Sequence, residues 1–88
     1  LEETLMAGLA QLPQTTTAPR GKGLLGAIEL DLDAQQWSRF KAEVAARRVF
    51  VHIYPNRGTL IVSPPLCITE RELTDGLTLV REALQAAL

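Results

Sequence analysis

An α+β layer, in which a three-stranded sheet carries helices on one face in the order α-β-α-β-β-α, is the architecture predicted by this 88-residue sequence. Three segments repeat apolar residues at helical spacing. Three shorter ones are apolar and alternate or carry β-branched and aromatic residues. Between them stand Pro, Gly, Asn and Asp at positions that suit turns. The length suits one small domain, residues 1–88, and is too short for two.

The first helix rests on Leu1, Leu5, Leu9 and Leu12, one stripe with Met6 beside it. Pro13 and the polar run to Pro19 stop it. No capping residue precedes this helix, as expected where a longer connecting helix ends, here over residues 1–12. The only methionine is Met6, so the chain reads as a piece of a longer protein. Arg20-Gly21-Lys22-Gly23 is read as a turn, and a strand follows over Leu24–Leu30. Leu24, Gly26, Ile28 and Leu30 share one side of that strand, and Leu25, Ala27 and Glu29 the other. Small residues in mid-strand predict close approach by a helix or another backbone.

Asp33 with Gln36 resembles a capping box, and Trp37, Phe40 and Val44 give a helix from about Ala34 to Arg48. Val49–Tyr54 is rich in β-branched and aromatic residues, Pro55-Asn56-Arg57-Gly58 is a turn, and Thr59–Ser63 returns as the partner of a β-hairpin. Pro64-Pro65 ends the hairpin. Thr69 and Glu72 form a full capping box, and Leu73, Leu77, Val80 and Leu84 stripe the last helix. Gly76 inside it should weaken it by about 1 kcal/mol relative to Ala. With the helices on one face, the other sheet face is expected to carry Leu25, Ala27, Phe50, Tyr54 and Ile61, too apolar to leave wet.

Composition excludes several classes of function. Nine Lys+Arg against ten Asp+Glu give a net charge of -1, which supplies no electrostatic footprint for nucleic acid or an anionic membrane. An RNA-binding sheet would need exposed aromatics on a basic surface, and only Phe50 and Tyr54 are candidates. No apolar run approaches the roughly 20 residues of a membrane span. The single cysteine, Cys67, allows no internal disulfide and no zinc cluster, and fits a reducing, cytoplasmic setting. It reads as a small buried residue before the last helix.

No catalytic set can be assembled from these residues. Lys22, between two glycines with no acid or base nearby, reads as a turn lysine. The Gly-Lys-Gly segment precedes a strand rather than opening a helix, so it is no phosphate loop. His52, the one histidine, reads as a packed or edge residue of its strand. Arg20 either shapes a substrate entrance or is a solvated loop residue. No metal site is expected.

Arg20-Gly21-Lys22-Gly23-Leu24-Leu25 running into Ile28-Glu29-Leu30, the hairpin from Val49, and Ser63-Pro64-Pro65-Leu66-Cys67-Ile68-Thr69 leading into the leucine-striped helix resemble the C-terminal small domain of class III aminotransferases. The resemblance runs over nearly the whole chain. It implies the small domain of a fold-type-I enzyme that uses pyridoxal 5'-phosphate to move an amino group between an amine or amino acid and an oxo acid. It also implies a homodimer and a domain that closes over a site on the large domain, which would hold the cofactor and the Schiff-base lysine. The fragment alone is then expected to be inactive. Many members of that family carry a carboxylate-gripping Arg where Tyr54 stands, and ornithine-type members carry one where Ile61 stands. With both absent, Tyr54, Arg57 in the turn and Arg20 are the candidate substrate-binding residues. The alternative is a free-standing α/β-sandwich module for ligand binding or dimerisation, which would need a capped first helix and a polar outer sheet face.

Overall fold

The computed structural model describes residues 1–88 as three α-helices and four strands. They are α1 (Glu2–Ala10), β1 (Arg20–Lys22), β2 (Leu25–Glu29), α2 (Ala34–Arg47), β3 (Val51–Tyr54), β4 (Thr59–Val62) and α3 (Glu70–Ala87), with a single 3-10 turn over Pro55–Arg57. The sheet is antiparallel throughout, in the order β1-β2-β4-β3. Because β4 runs between β2 and β3 and opposes both, β2 and β3 are parallel and are joined through α2.

The sheet has four strands, not the three expected. Arg20–Lys22, read from sequence as part of a turn, is strand β1 and pairs Arg20 with Ala27 and Lys22 with Leu25. The physical reason lies one residue on. Gly23 takes φ of +61° and, with Leu24, closes a two-residue hairpin loop. A glycine at the first central position is what the type II′ turn uses, because its twist matches that of the flanking strands.

Both expected capping boxes are formed. The Asp33 carboxylate accepts from the Gln36 backbone at 2.7 Å, and the Gln36 side chain accepts from the Asp33 N–H at 3.0 Å. Thr69 and Glu72 repeat the exchange at the start of α3, at 3.1 and 2.9 Å. The first helix has no such cap: Leu1 occupies the position and makes no side-chain bond there.

The apolar stripes meet in one cluster. Leu5 and Leu9 of α1, Trp37, Phe40 and Val44 of α2, and Leu73, Val80 and Leu84 of α3 pack with Ile28, Leu60 and Val62 of the sheet. The helices therefore cover a single sheet face. Each fully buried leucine of α3 contributes about 1.5–3 kcal/mol. The small residue expected to admit a helix does so: a Cβ on Gly26 would stand 2.8 Å from Leu9 Cδ1, so α1 lies against β2 at that point. The chain has no helix long and apolar enough to cross a membrane.

Two side chains lie elsewhere than strand alternation or composition predicts. Phe50, expected on the outer face, is turned onto the helix side. Its backbone is pinched by a bond from Val51 N–H to Val49 C=O at 3.0 Å, an i to i+2 turn that breaks the alternation just before β3 begins. Its ring sits over Gly76, where an added Cβ would meet Phe50 Cζ at 2.3 Å. Cys67, expected to be buried, is exposed. The bond from Ile68 N–H to Pro65 C=O closes a turn that directs Leu66 and Cys67 outward, while Ile68 packs on the core.

Candidate functional site

The uncovered sheet face is built by register. Opposed residues of an antiparallel pair project to the same side. Arg20, Ala27, Ile61 and His52 therefore form one row across all four strands, and Glu29, Thr59 and Tyr54 form the next across β2, β4 and β3. The β3–β4 connection rises at the end of these rows. Pro55 presets its φ, and Gly58 at φ +63° reverses the chain. Its carbonyl accepts from the Leu30 N–H at 2.8 Å, which fastens the loop to the end of β2.

A cleft of about 510 Å³ opens there, lined by Arg20, Tyr54, Asn56, Arg57, Thr59 and Ile61 among others. The three candidate residues, Arg20, Tyr54 and Arg57, thus come from one edge strand, the end of the other edge strand and the loop, and line a single concavity. Arg20 Nη1 is 2.7 Å from Glu29 Oε1. The Thr59 hydroxyl lies 3.3 Å from Glu29 Oε2 and 3.1 Å from the Arg57 carbonyl, so its one proton is shared between two acceptors. Arg47 pairs with Glu43 on α2, and no further ion pair exists, so Arg57 has no carboxylate partner. The cleft can thus offer a guanidinium fork and a phenol hydroxyl to an anionic group.

Glu29 and Thr59 are the members of this arrangement that the sequence alone did not single out. The available signal was an acidic residue on an otherwise apolar strand face; its diagonal neighbour Arg20 becomes visible only once β1 is recognised as a strand. His52 is exposed on edge strand β3, and Lys22 is exposed on β1; neither lines the cleft. A second groove, of about 300 Å³, runs between α1 and α3 past Thr4, Gly8, Leu77, Thr78 and Arg81.

The outer face is of mixed character. Leu25 and Tyr54 are 55% and 45% exposed, Ala27 and Ile61 are half-buried, and the Arg20–Glu29–Thr59 network crosses between them.

No known family profile matches the sequence. No curated protein matches it by sequence either. Among solved structures the chain is similar to an ornithine aminotransferase from Plasmodium yoelii, with a TM-score of 0.73 over 98% of this chain and 23% sequence identity. It spans 22% of the length of that chain. The likeness establishes the fold, which is similar to that of a part of this aminotransferase.

Proposed function

We propose that these 88 residues are the C-terminal small domain of a class III, pyridoxal-phosphate-dependent aminotransferase, which moves an amino group between an amine or amino acid and an oxo acid. The observation that carries this reading is the match of nearly the entire fold to about a fifth of an aminotransferase chain, joined to the sequence motifs that lead through Gly21–Leu30 and Ser63–Thr69. In this reading the outer sheet face and its cleft look toward the large domain of the same polypeptide. Arg20, Tyr54 and Arg57 line the substrate side. A second copy completes a homodimer, and the protein works in the cytoplasm.

The residues present do not form a cradle for pyridoxal phosphate. The two lysines, Lys22 and Lys41, are both exposed, and neither lines either cleft. The cofactor is therefore assigned to the large domain, and this chain contributes shape, charge and exclusion of water over the substrate. One feature weighs against a free-standing module: Leu25 and Tyr54 stand exposed on the open face.

The test has two arms. The 88-residue chain alone is titrated with pyridoxal phosphate, with no protein-bound cofactor absorbance expected. The longer polypeptide should show that absorbance and lose it on addition of an amino donor. A stoichiometric cofactor band in the isolated chain overturns the reading. Within the active protein, Tyr54→Arg places a carboxylate-binding fork in the cleft and should shift amino-donor preference toward acids. Unchanged preference removes Tyr54 from the substrate side.

A further inference from the structure

We infer that Leu66, together with Leu25, is the apolar anchor by which this domain seats on the large domain of its own polypeptide, at the end of the sheet opposite the cleft. The inference rests on the reading above, that these residues are one domain of a longer enzyme, and adds to it the side chain on which the seating turns.

Register places the patch. Gly26 and Val62 are the last pair of β2 and β4 at this end. One step beyond them stand Leu25 on β2 and Ser63 after β4, and from Ser63 the chain enters Pro64 and Pro65. The cleft lies at the other end, around the Glu29–Thr59 pair. Leu66 and Leu25 are the two most exposed large apolar side chains of the molecule, at 91% and 55%. Leu66 is also held in place. Each proline fixes its own φ near −65° and confines the residue before it to extended backbone. Pro64 is buried, and the bond from Ile68 N–H to the Pro65 carbonyl at 3.1 Å closes the turn behind Leu66 while Ile68 packs on the core. A leucine presented to water on a braced turn has little freedom left to lose on binding, so it anchors at low entropic cost.

Area decides the occupant. Two leucine side chains offer on the order of 200 Å² of apolar surface. A lasting contact between separate molecules needs about 1,000 Å². A patch this small holds a partner that is already tethered nearby, where effective concentration stands in for area. The chain spans 22% of the similar aminotransferase, so a longer polypeptide of that kind supplies a tethered surface of ample size. Its complement to the patch is an apolar pocket.

The experiment uses the complete cofactor-loaded protein and follows the thiol of Cys67, which is next to Leu66 and exposed on the same turn. Its alkylation rate is read by peptide mass spectrometry and compared with that of the denatured protein. With the patch seated, Cys67 should react at least about tenfold more slowly than when denatured. Leu66→Gln is neutral and leaves the reactivity of the thiol itself in place; it should speed the reaction about tenfold, the scale of losing one buried leucine. Leu66→Met should stay near wild type. A cofactor-loaded protein whose Cys67 reacts at the denatured rate overturns the inference alone, because the turn is then uncovered. Protection that Leu66→Gln leaves unchanged also overturns it. So does protection lost on dilution in step with dissociation of a dimer, which would assign the patch to a second copy. A longer protein that takes up no cofactor overturns the parent reading and this inference with it.

Discussion

At the scale of single residues, the two glycines that matter most for packing are buried ones with a neighbour pressed against the Cα. Gly76 shows the competition plainly. In an exposed helix its replacement by Ala would gain about 1 kcal/mol of propensity. Here the half-buried Phe50 ring occupies the place of the new methyl, 2.3 Å from where Cβ would stand, and forcing so close a neighbour aside costs about 1–3 kcal/mol. The clash should prevail, so Gly76→Ala is expected to lower stability by about 1 kcal/mol in urea unfolding. The same change made on a Phe50→Leu background should stabilise, because the flat ring is gone and the propensity term is left unopposed. If Gly76→Ala stabilises both backgrounds, Phe50 does not sit where the structure puts it. The expectation that Gly76 simply weakens α3 missed this because Phe50 was assigned to the outer face by alternation. The i to i+2 bond that turns Phe50 inward involves only backbone atoms of Val49 and Val51 and leaves no mark in residue type.

At the scale of elements, what could be read from the sequence depended on how many independent signals converged on a segment. The helices α2 and α3 each carried a capping box and an apolar stripe, and both formed as expected. The hairpin β3–β4 carried β-branched strands around a Pro–Gly loop and also formed. Strand β1 has three residues, all exposed, and none is large and apolar, so periodicity was silent and only Gly23 marked its turn. The site suffered from that one omission. Arg20, Tyr54 and Arg57 could be picked singly from residue type and family resemblance, but their shared cleft, and the tie between Arg20 and Glu29, exist only because β1 closes the sheet edge. Capping chemistry also gives α3 a pH dependence. The Thr69 backbone N–H, and secondarily its side chain, hold the Glu72 carboxyl below the ordinary glutamate range. A lowered folded-state pKa means that the contribution is complete above the unfolded-state value and disappears as pH falls through the folded one. The start of α3 should therefore loosen on acidification, and Glu72→Gln should flatten that part of the stability–pH curve. An acid limb identical in wild type and Glu72→Gln would show that the Glu72 charge contributes nothing to folding, since Gln can close the same box. Thr69→Ala should cost about 0.5–2 kcal/mol at neutral pH.

At the scale of the whole molecule, the asymmetry between the two sheet faces is what supports the proposed docking on a large domain. One face is sealed by three helices whose stripes meet in a single core. The other presents Leu25 and Tyr54 beside a charged network, a surface in which apolar patches and polar pairs alternate as they do in interfaces that must open and close. Such a face can be altered without touching the fold. Leu25 is 55% exposed, next to the hairpin turn and outside the core. Leu25→Glu should therefore leave unfolding of the isolated chain within about 0.5 kcal/mol of wild type, as surface substitutions generally do. If this face docks on a large domain, as proposed above, the same charge in the longer protein would be pressed against that domain, and desolvating an unpaired carboxylate is costly. The expected result is an impaired amino-transfer rate in a protein whose small domain melts normally. Were Leu25→Glu to unfold the isolated chain, Leu25 would belong to the core. Were it to leave both stability and transfer untouched, this face would not be the one that docks, and the groove between α1 and α3, with Thr4, Gly8 and Arg81 on its walls, would be the remaining concave surface against which the large domain could sit.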